Sequence, residues 1–522
     1  MEAEDTEGAE GGEEGVGGFG VGGVGGMGQV WGMRSLLGLF VMAALAAKDV
    51  ASRPTIVMFL ADDLGTGDVA ALSASCRIRT PYLDGFASEG MRLRDFHSNS
   101  SVCTPTRYGL MTGRYAWRTH LQRGVLEGGS GPLIAKGRRT IASVLRDGGY
   151  RTALVGKWHL GLGWEREGGG RPDYARPFSD GPMSHGFASF FGLAASADMP
   201  PYVFLEGYRA TVAPTARFTS DFGPARDGPA APGWTSEAIQ DALTRRAIEE
   251  LRKCTDDPRP LFLLVCLASP HTPIAPVRDW QGRSGINRYA DFVMQMDHDI
   301  GRVLTALRET GRAEDAFVVI TSDNGCSPEA NFAQLAAQDH FPSAGFRGAK
   351  ADLYEGGHRV PCLVRWPRRI ARGATSEALS GMTDWYATLA EVAGLGRPAE
   401  GGEDSVSLVP VLTGKSASAR DTYVVHSIDG SFALRRGSLK YLAARGSGGW
   451  SEPNGKTRGF GRLPPSQLYD LAVDPREEEN LVFERPDLAE AMREQLVAIV
   501  TAGRSTPGPA SANDVPVRVG GE

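Results

Sequence analysis

The chain has 522 residues, 41% of them hydrophobic, and a formal charge of −6. That length exceeds a single core of ordinary size, so one large domain and a smaller one are expected. Residues 1–32 hold seven acids and no Lys or Arg, which leaves 56 basic residues against 55 acidic ones in the rest of the chain. Net charge therefore points to no polyanionic partner, and no basic run or zinc spacing points to nucleic acid.

Residues 1–32 are Gly-rich, acidic and low in complexity, and are expected to be disordered. Met33-Arg34-Ser35 then opens an apolar run, Leu36 to Ala47, that closes with Ala44-Leu45-Ala46. A charged start, an apolar middle and a small-residue end make a secretory signal, and the run is too short to span a membrane. Residues 33–47 are thus expected to be a signal peptide with translation starting at Met33, so that residues 1–32 are not translated. The mature chain then begins at about Ala47 and travels the secretory pathway, secreted or to a lysosome-like compartment, with no stable membrane anchor.

From residue 54 to about 400, short apolar runs alternate with helical patterns. Thr55–Leu60, Thr152–Val155, Leu261–Leu267 and Phe317–Ile320 read as buried strands. Thr140–Arg146, Glu237–Lys253, Tyr289–Glu309 and Asp384–Val392 read as amphipathic helices. Such alternation implies an α/β fold, a large mixed, mostly parallel sheet sandwiched by helices, assigned to residues 54–415. Residues 161–235, rich in Gly and Pro, are expected to form a long irregular excursion. Thr422–His426, Phe432–Arg435 and Leu439–Ala443 read as short antiparallel strands and Pro486–Ala502 as a helix. Residues 416–505 are therefore a smaller C-terminal α+β subdomain, followed by a flexible tail, 506–522.

Six cysteines (76, 103, 254, 266, 326 and 362) are too sparse for a disulfide scaffold, and no CxxC pair is present. Cys266 lies inside an apolar run and reads as a buried thiol. One Asn-x-Ser/Thr site occurs, Asn99-Ser100-Ser101, and its closeness to Cys103 argues against a glycan there.

Every buried strand ends in polar residues: Asp62-Asp63, Lys157-Trp158-His159, Pro270-His271-Thr272-Pro273 and Asp323-Asn324-Gly325. Ligands of open α/β sheets bind beyond the carboxyl ends of strands, so the four clusters should meet on one edge. Taken singly, an Asp after a strand is usually a helix cap. Together, three carboxylates and an amide oxygen suit a hard divalent cation, Ca²⁺ or Mg²⁺ rather than zinc. Arg107, Lys157 and Lys350 supply positive charge for a tetrahedral oxyanion, and His159 and His271 supply proton transfer near neutral pH. Cys103-Thr104-Pro105-Thr106-Arg107 adds a Cys at the start of a helix that Pro105 favours and Gly113 can stop. A phosphatase-type Cys loop is excluded, because it needs an Arg about six positions after the Cys, where Gly109 stands.

These motifs resemble the sulfatases of the alkaline phosphatase superfamily, within them the arylsulfatase A-like group, over roughly residues 54–480. The resemblance is carried by Leu60-Ala61-Asp62-Asp63, the Cys103–Arg107 pentapeptide and Gly156-Lys157-Trp158-His159-Leu160-Gly161. Pro270-His271-Thr272-Pro273, Ser322-Asp323-Asn324-Gly325 and Tyr354-Glu355-Gly356-Gly357-His358-Arg359-Val360-Pro361 extend it, and Leu468-Tyr469-Asp470-Leu471 with Asp474-Pro475 closes it. It implies an alkaline phosphatase-like fold and a sulfuric ester hydrolase acting on small-molecule or glycan sulfate esters of aryl, carbohydrate or lipid alcohols. It implies that Cys103 is oxidised to formylglycine by a formylglycine-generating enzyme, and that Asp62, Asp63, Asp323, Asn324 and the modified residue 103 bind one Ca²⁺ in preference to Mg²⁺. Arg107 and Lys157 would hold the formylglycine, His159 would act on its hydroxyl, and Lys157, His271 and Lys350 would contact the sulfate.

Two positions depart from the family pattern: Ala188 follows His185-Gly186-Phe187 where Asp is frequent, and Ala349 stands before Lys350 where Gly is common. A phosphomonoesterase or phosphodiesterase of the same superfamily would want Ser or Thr as nucleophile and His-rich zinc ligands. A homologue that binds sulfate esters without an activated Cys103 is the other alternative. Oligomeric state is left open.

Overall fold

The computed structural model describes residues 53–520, Arg397 and Ala399 excepted, together with two isolated glycines at 18 and 20. The expected leader (1–32) and signal segment (33–47) otherwise lie outside the described residues. Ten strands build the main sheet: β1 (Ile56–Asp62), β2 (Met91–Leu93), β3 (Arg151–Lys157), β4 (Ser189–Leu193), β5 (Leu205–Glu206), β6 (Arg209–Ala210), β7 (Leu261–Pro270), β8 (Phe317–Ser322), β9 (Cys362–Arg365) and β10 (Ala374–Ser376). Their order across the sheet is β10-β2-β9-β8-β1-β7-β3-β4-β5-β6. The middle five, β8-β1-β7-β3-β4, are parallel, and the pairs β8–β9, β9–β2, β4–β5 and β5–β6 are antiparallel.

The period-2 geometry of a strand sends alternate side chains to opposite faces. Ile56, Met58 and Leu60 of β1 join one apolar cluster with Tyr108, Leu110, Met111 and Trp385. Val57, Phe59 and Ala61 join the other with Leu243, Leu251, Val293 and Ile300. One layer thus holds the helices α2 (Cys103–Thr112), α3 (Ile141–Asp147) and α6 (Trp385–Val392); the other holds α1 (Pro81–Glu89), α4 (Glu237–Arg252) and α5 (Arg288–Glu309). Local signals set the ends. Thr140 and Ser143 form a reciprocal capping box at the start of α3, and the Asn287 side chain accepts from the Ala290 amide at the start of α5. Gly113 ends α2 in the left-handed region at φ 62°.

All four expected strands run further than the sequence indicates, the last of them to Ser322. Asp62, Lys157 and Pro270 are themselves strand residues, because their neighbours across the sheet continue to pair. The excursion 161–235 supplies β4, which pairs parallel with β3. Its Gly192 is needed: an added Cβ would stand 1.8 Å from the Gly156 carbonyl oxygen.

The C-terminal subdomain is a four-stranded antiparallel sheet in chain order, β11 (Thr422–His426), β12 (Phe432–Arg436), β13 (Leu439–Leu442) and β14 (Gln467–Asp470). Its apolar face packs on α7 (Pro486–Thr501) through Met492, Leu496 and Val500. It meets the large domain across a buried ionic network. Lys440 Nζ lies 3.0 Å from Glu355 Oε1 and 2.8 Å from Glu477 Oε1; Arg435 spans Glu355 and Asp95 at 3.1 and 3.2 Å. His97 Nε2 sits 2.9 Å from Asp95, and the facing Nδ1 atoms of His97 and His358 are 3.0 Å apart. The last residues, expected to be flexible, are tied down. Arg114 pairs with Asp514, Arg118 donates to Asn513 Oδ1, and Gln122 donates to the Pro516 carbonyl.

Candidate active site

The parallel strands deliver their carboxyl ends to one edge, and the polar clusters meet there. Asp62 closes its strand and Asp63 follows it in the left-handed region at φ 70°. Lys157 closes the neighbouring strand but one, and His159 lies two residues on, at φ 58°, its amide held by the Ala194 carbonyl at 3.0 Å. Asp323 and Asn324 follow the Phe317–Ser322 strand directly. Cys103 is the first residue of its helix, and Arg107, one turn along, presents its guanidinium to the same edge. The loop carrying Lys350 is anchored by its amide to the Cys326 carbonyl, and the Ala351 amide reaches the Ser101 carbonyl.

Salt bridges knit these residues together. Lys157 Nζ is 2.7 Å from Asp62 Oδ2, and Lys350 Nζ is 2.7 Å from Asp63 Oδ1. Arg107 donates to Asp323 Oδ2 through Nε and Nη2, at 3.1 and 2.7 Å, and through Nη1 to the Lys157 carbonyl. Asn324 Nδ2 donates to Asp63 Oδ1 at 2.7 Å, and His271 Nε2 stands 3.7 Å from Asp63 Oδ2. All ten predicted residues are buried: Asp62, Asp63, Cys103, Arg107, Lys157, His159, His271, Asp323, Asn324 and Lys350.

Burial raises the Asp62 carboxyl, but Lys157, His271, Arg107 and Lys350 together overcome it and hold Asp62 well below the ordinary range. Asp323 is pushed the other way, to about 6, by burial and then by the Asp62 charge, against Arg107 and Lys157. Burial raises the Cys103 thiol, with Asp323 and Asp62 adding to it and Lys157 and Lys350 opposing. Burial, then the Lys157 charge, keeps His159 well below its ordinary value. Its Nε2 lies 2.7 Å from the Leu126 carbonyl, which makes Nε2 the protonated nitrogen and leaves Nδ1 bare. Nδ1 is buried and has no partner. His271 Nδ1 is spent on the Thr272 carbonyl at 2.6 Å, so Nε2 is the nitrogen that faces the site.

Ligand atoms of Asp62, Asp63 and His271 lie within 4.8 Å of one another. Asn324 Oδ1 is buried beside them with no hydrogen-bond partner. An oxygen donor left bare among carboxylates fits a divalent cation there. A second group, His97, Glu355 and His358, is also close enough to ligate. Lys440 and Arg435 already occupy it, so it is a link between the domains.

The family model described as Sulfatase matches residues 54–395. The chain belongs to the sulfatase family.

Arylsulfatase A of Bos taurus is 32% identical to this sulfatase over 500 residues, covering 90% of this chain and 92% of its own. An N-acetylgalactosamine-6-O-sulfatase of Bacteroides thetaiotaomicron is 28% identical over 488 residues, with 86% and 93% covered. Steryl-sulfatase of Mus musculus is 30% identical, with 87% and 82% covered. A solved sulfatase structure from a study of glycosaminoglycan metabolism by Bacteroides thetaiotaomicron superposes with a TM-score of 0.75 at 27% identity, covering 86% of this chain and 99% of that one. A Pseudoalteromonas sulfatase shares the fold alone, with a TM-score of 0.65 at 22% identity, covering 88% and 92%. This protein is therefore a sulfuric ester hydrolase, and the phosphoesterase alternative falls away. Its family generally implies a metal ion and a formylglycine.

Sequence reasoning did not single out three side chains near this edge. Ser196, beyond the Ala194 carbonyl that holds His159, is 2% exposed and its hydroxyl has no partner. Asp198 Oδ1 is likewise buried and unpartnered. Glu329 lies in the field of His271, Lys350, Asp63 and Asp198, and burial raises its carboxyl. Ser196 and Asp198 belong to the excursion, where no motif marked them.

Proposed function

We propose that this sulfatase acts through a formylglycine made from Cys103, with one Ca²⁺ held by Asp62, Asp63, Asp323, Asn324 and the modified residue 103. Its substrates are sulfate esters of aryl, carbohydrate or lipid alcohols, met in the secretory pathway, outside the cell or in a lysosome-like compartment. The observation that carries this reading is the meeting of ten chemically matched side chains from four strands, one helix and one loop at a single buried edge. Relatives named for N-acetylgalactosamine 6-sulfate and steryl sulfate support a carbohydrate or lipid alcohol as leaving group.

Calcium suits an all-oxygen set of three carboxylates and an amide better than zinc does. With a cation held by Asp62, Asp63, Asp323 and Asn324, residue 103 as hydrated formylglycine would supply the attacking oxygen in ionised form. The encoded thiol is a poor nucleophile here, because burial keeps it protonated. Arg107, locked by two bonds to Asp323, fixes the position from which residue 103 reacts. Lys157 and Lys350 bring positive charge to the sulfuryl oxygens, where it grows in value as the transition state forms. His271 faces the departing alcohol through Nε2, and with Nδ1–H held by the Thr272 carbonyl it gives that alcohol a proton only from the doubly protonated ring, returning to the neutral form. His159 is already neutral with a bare Nδ1, which suits it to take the proton whose loss expels sulfate and restores the aldehyde. A hydroxyl in place of the aldehyde hydrate would end as a stable sulfate ester.

The test is a mass spectrum of the proteolytic peptide containing residue 103, from chain expressed from Met33 in a secretory host with a formylglycine-generating enzyme. An aldehyde or its hydrate in place of sulfur is the expected result. Unmodified Cys103, in a host that converts a control sulfatase, overturns the proposed nucleophile and favours an unactivated sulfate-ester-binding protein.

A further inference from the structure

Beneath the carboxylate cluster lies a buried layer that the reaction scheme leaves unused. Asp68 is 0% exposed, and among the described residues no Lys or Arg pairs with it. Three donors converge on it instead. The Gly65 amide and the Tyr289 hydroxyl reach Oδ2 at 2.8 and 2.6 Å, and His340 Nε2 reaches Oδ1 at 2.8 Å. The Arg77 amide donates to His340 Nδ1 at 3.1 Å, which fixes the hydrogen on Nε2. Tyr289 connects this layer to the active edge. Its oxygen is 3.3 Å from the Asp63 carbonyl and 3.2 Å from the Cys326 sulfur, two residues after Asn324.

The chain between Asp63 and Asp68 is wrapped around that one carboxylate. The Leu64 amide is held by Ser322 Oγ at 2.9 Å, the Gly67 amide by the Pro342 carbonyl at 2.6 Å, and the Asp68 amide by the Gly65 carbonyl at 3.1 Å. Asp63 sits at φ 70°, a conformation a side-chain-bearing residue keeps only when its surroundings impose it. A carboxylate is the one side chain of this size that only accepts. Asparagine would turn an N–H toward one of the three donors and force the wrap to open.

The geometry points to Asp68 as a positioning residue for the cation site: through Tyr289 and the Gly65 amide it holds Asp63 in its ligating conformation and adds a fourth buried carboxylate behind the cluster. The inference rests on the proposed reading that Asp63 ligates a divalent cation. Such supporting contacts typically matter by roughly tenfold to a hundredfold in metal affinity.

The experiment is Ca²⁺ binding by calorimetry on chelator-treated protein, wild type beside Asp68→Asn and Tyr289→Phe, with melting temperature recorded with and without Ca²⁺. The expected result is a fall in Ca²⁺ affinity of roughly tenfold or more for Asp68→Asn and a smaller fall for Tyr289→Phe. The rise in melting temperature on adding Ca²⁺ should shrink in the same order, a change that general destabilisation alone would not produce. Affinity within about twofold of wild type in either folded variant overturns the inference; should Asp68→Asn not fold, Tyr289→Phe decides it. A wild type that binds no divalent cation would instead sink the metal centre on which the inference rests.

Discussion

Two buried clusters in this molecule carry the same formal charges. At the active edge, Asp62, Asp63 and Asp323 face Arg107, Lys157 and Lys350. Between the domains, Asp95, Glu355 and Glu477 face Arg359, Arg435 and Lys440. In the second cluster each carboxylate oxygen has a cation or an amide within 3.2 Å and each imidazole nitrogen of His97 and His358 has a neighbour within hydrogen-bond distance; Glu477 Oε1, 2.8 Å from Lys440 Nζ, and the donor Arg435 Nε make no hydrogen bond. The first leaves Asn324 Oδ1 and His159 Nδ1 bare. Charge balance is therefore no guide to function in a buried ionic group. An acceptor with neither a donor nor a cation beside it is the guide: the interdomain cluster has none and holds two domains together, and the active edge, with two, has room for a ligand and a proton.

The difference can be broken by experiment, beginning where the effect is largest. Cys103→Ala should reduce hydrolysis of an aryl sulfate such as 4-nitrophenyl sulfate by at least about a thousandfold in initial-rate assays, as loss of a covalent nucleophile does. A near-normal rate would refute the scheme. His159→Asn should lower kcat by roughly 10²–10⁴-fold, the range for a lost general base, with a folded protein by calorimetry.

Lys440→Met should cost about 3–5 kcal/mol in denaturant unfolding, because Glu355 and Glu477 would be left buried beside too little positive charge. Lys157→Met, tested in saturating Ca²⁺, should lose activity but less stability, since Asp62 would still have a cation. Equal losses of stability would mean the two clusters do not differ as argued.

The pH dependence gives the smallest expected effect. Burial pushes His426 down to about 4 in the folded chain, against about 6.5 unfolded. Between those values the unfolded chain binds the proton and the folded one does not. Stability from this group is complete above about pH 6.5 and is lost as pH falls toward 4, by about 3 kcal/mol. Glu477 works in the opposite sense: burial, helped by Glu355 and opposed by Lys440, raises it to about 6. The folded chain then takes up that proton first, which adds stability as pH falls from 6 toward the unfolded carboxyl value. Replacing His426 with Gln should make the acid limb of unfolding free energy against pH shallower. An unchanged slope would show that His426 titrates normally.

Much of the active edge was legible because each buried strand is an uninterrupted apolar run that stops at a polar cluster, and parallel strands must stop on the same side. Three of the four C-terminal strands were legible for a similar reason, with ends within one residue of those observed; the fourth, Gln467–Asp470, was not read as a strand. Ser189–Leu193 was not, because its five residues include Gly192 and lie among Gly and Pro that read as loop. The interdomain network was not, because Lys440 finds Glu355 across 85 positions and Glu477 finds the Glu355 amide across 122, with no periodicity to announce either. The docking of the last residues escaped notice for the same cause: Arg114 and Asp514 are 400 positions apart.

The burial of Cys103 has a consequence for timing. With 2% of its surface exposed, the residue cannot be reached by another enzyme once its helix has packed. Any oxidation of the thiol must happen while the pentapeptide is still loose. Arg114 and Arg118, just past that helix, wait for residues 512–514, which leave the ribosome some 400 positions later. Under the proposed conversion of Cys103, maturation would be a race between modification and folding, and the late arrival of that segment would lengthen the interval in which modification can win.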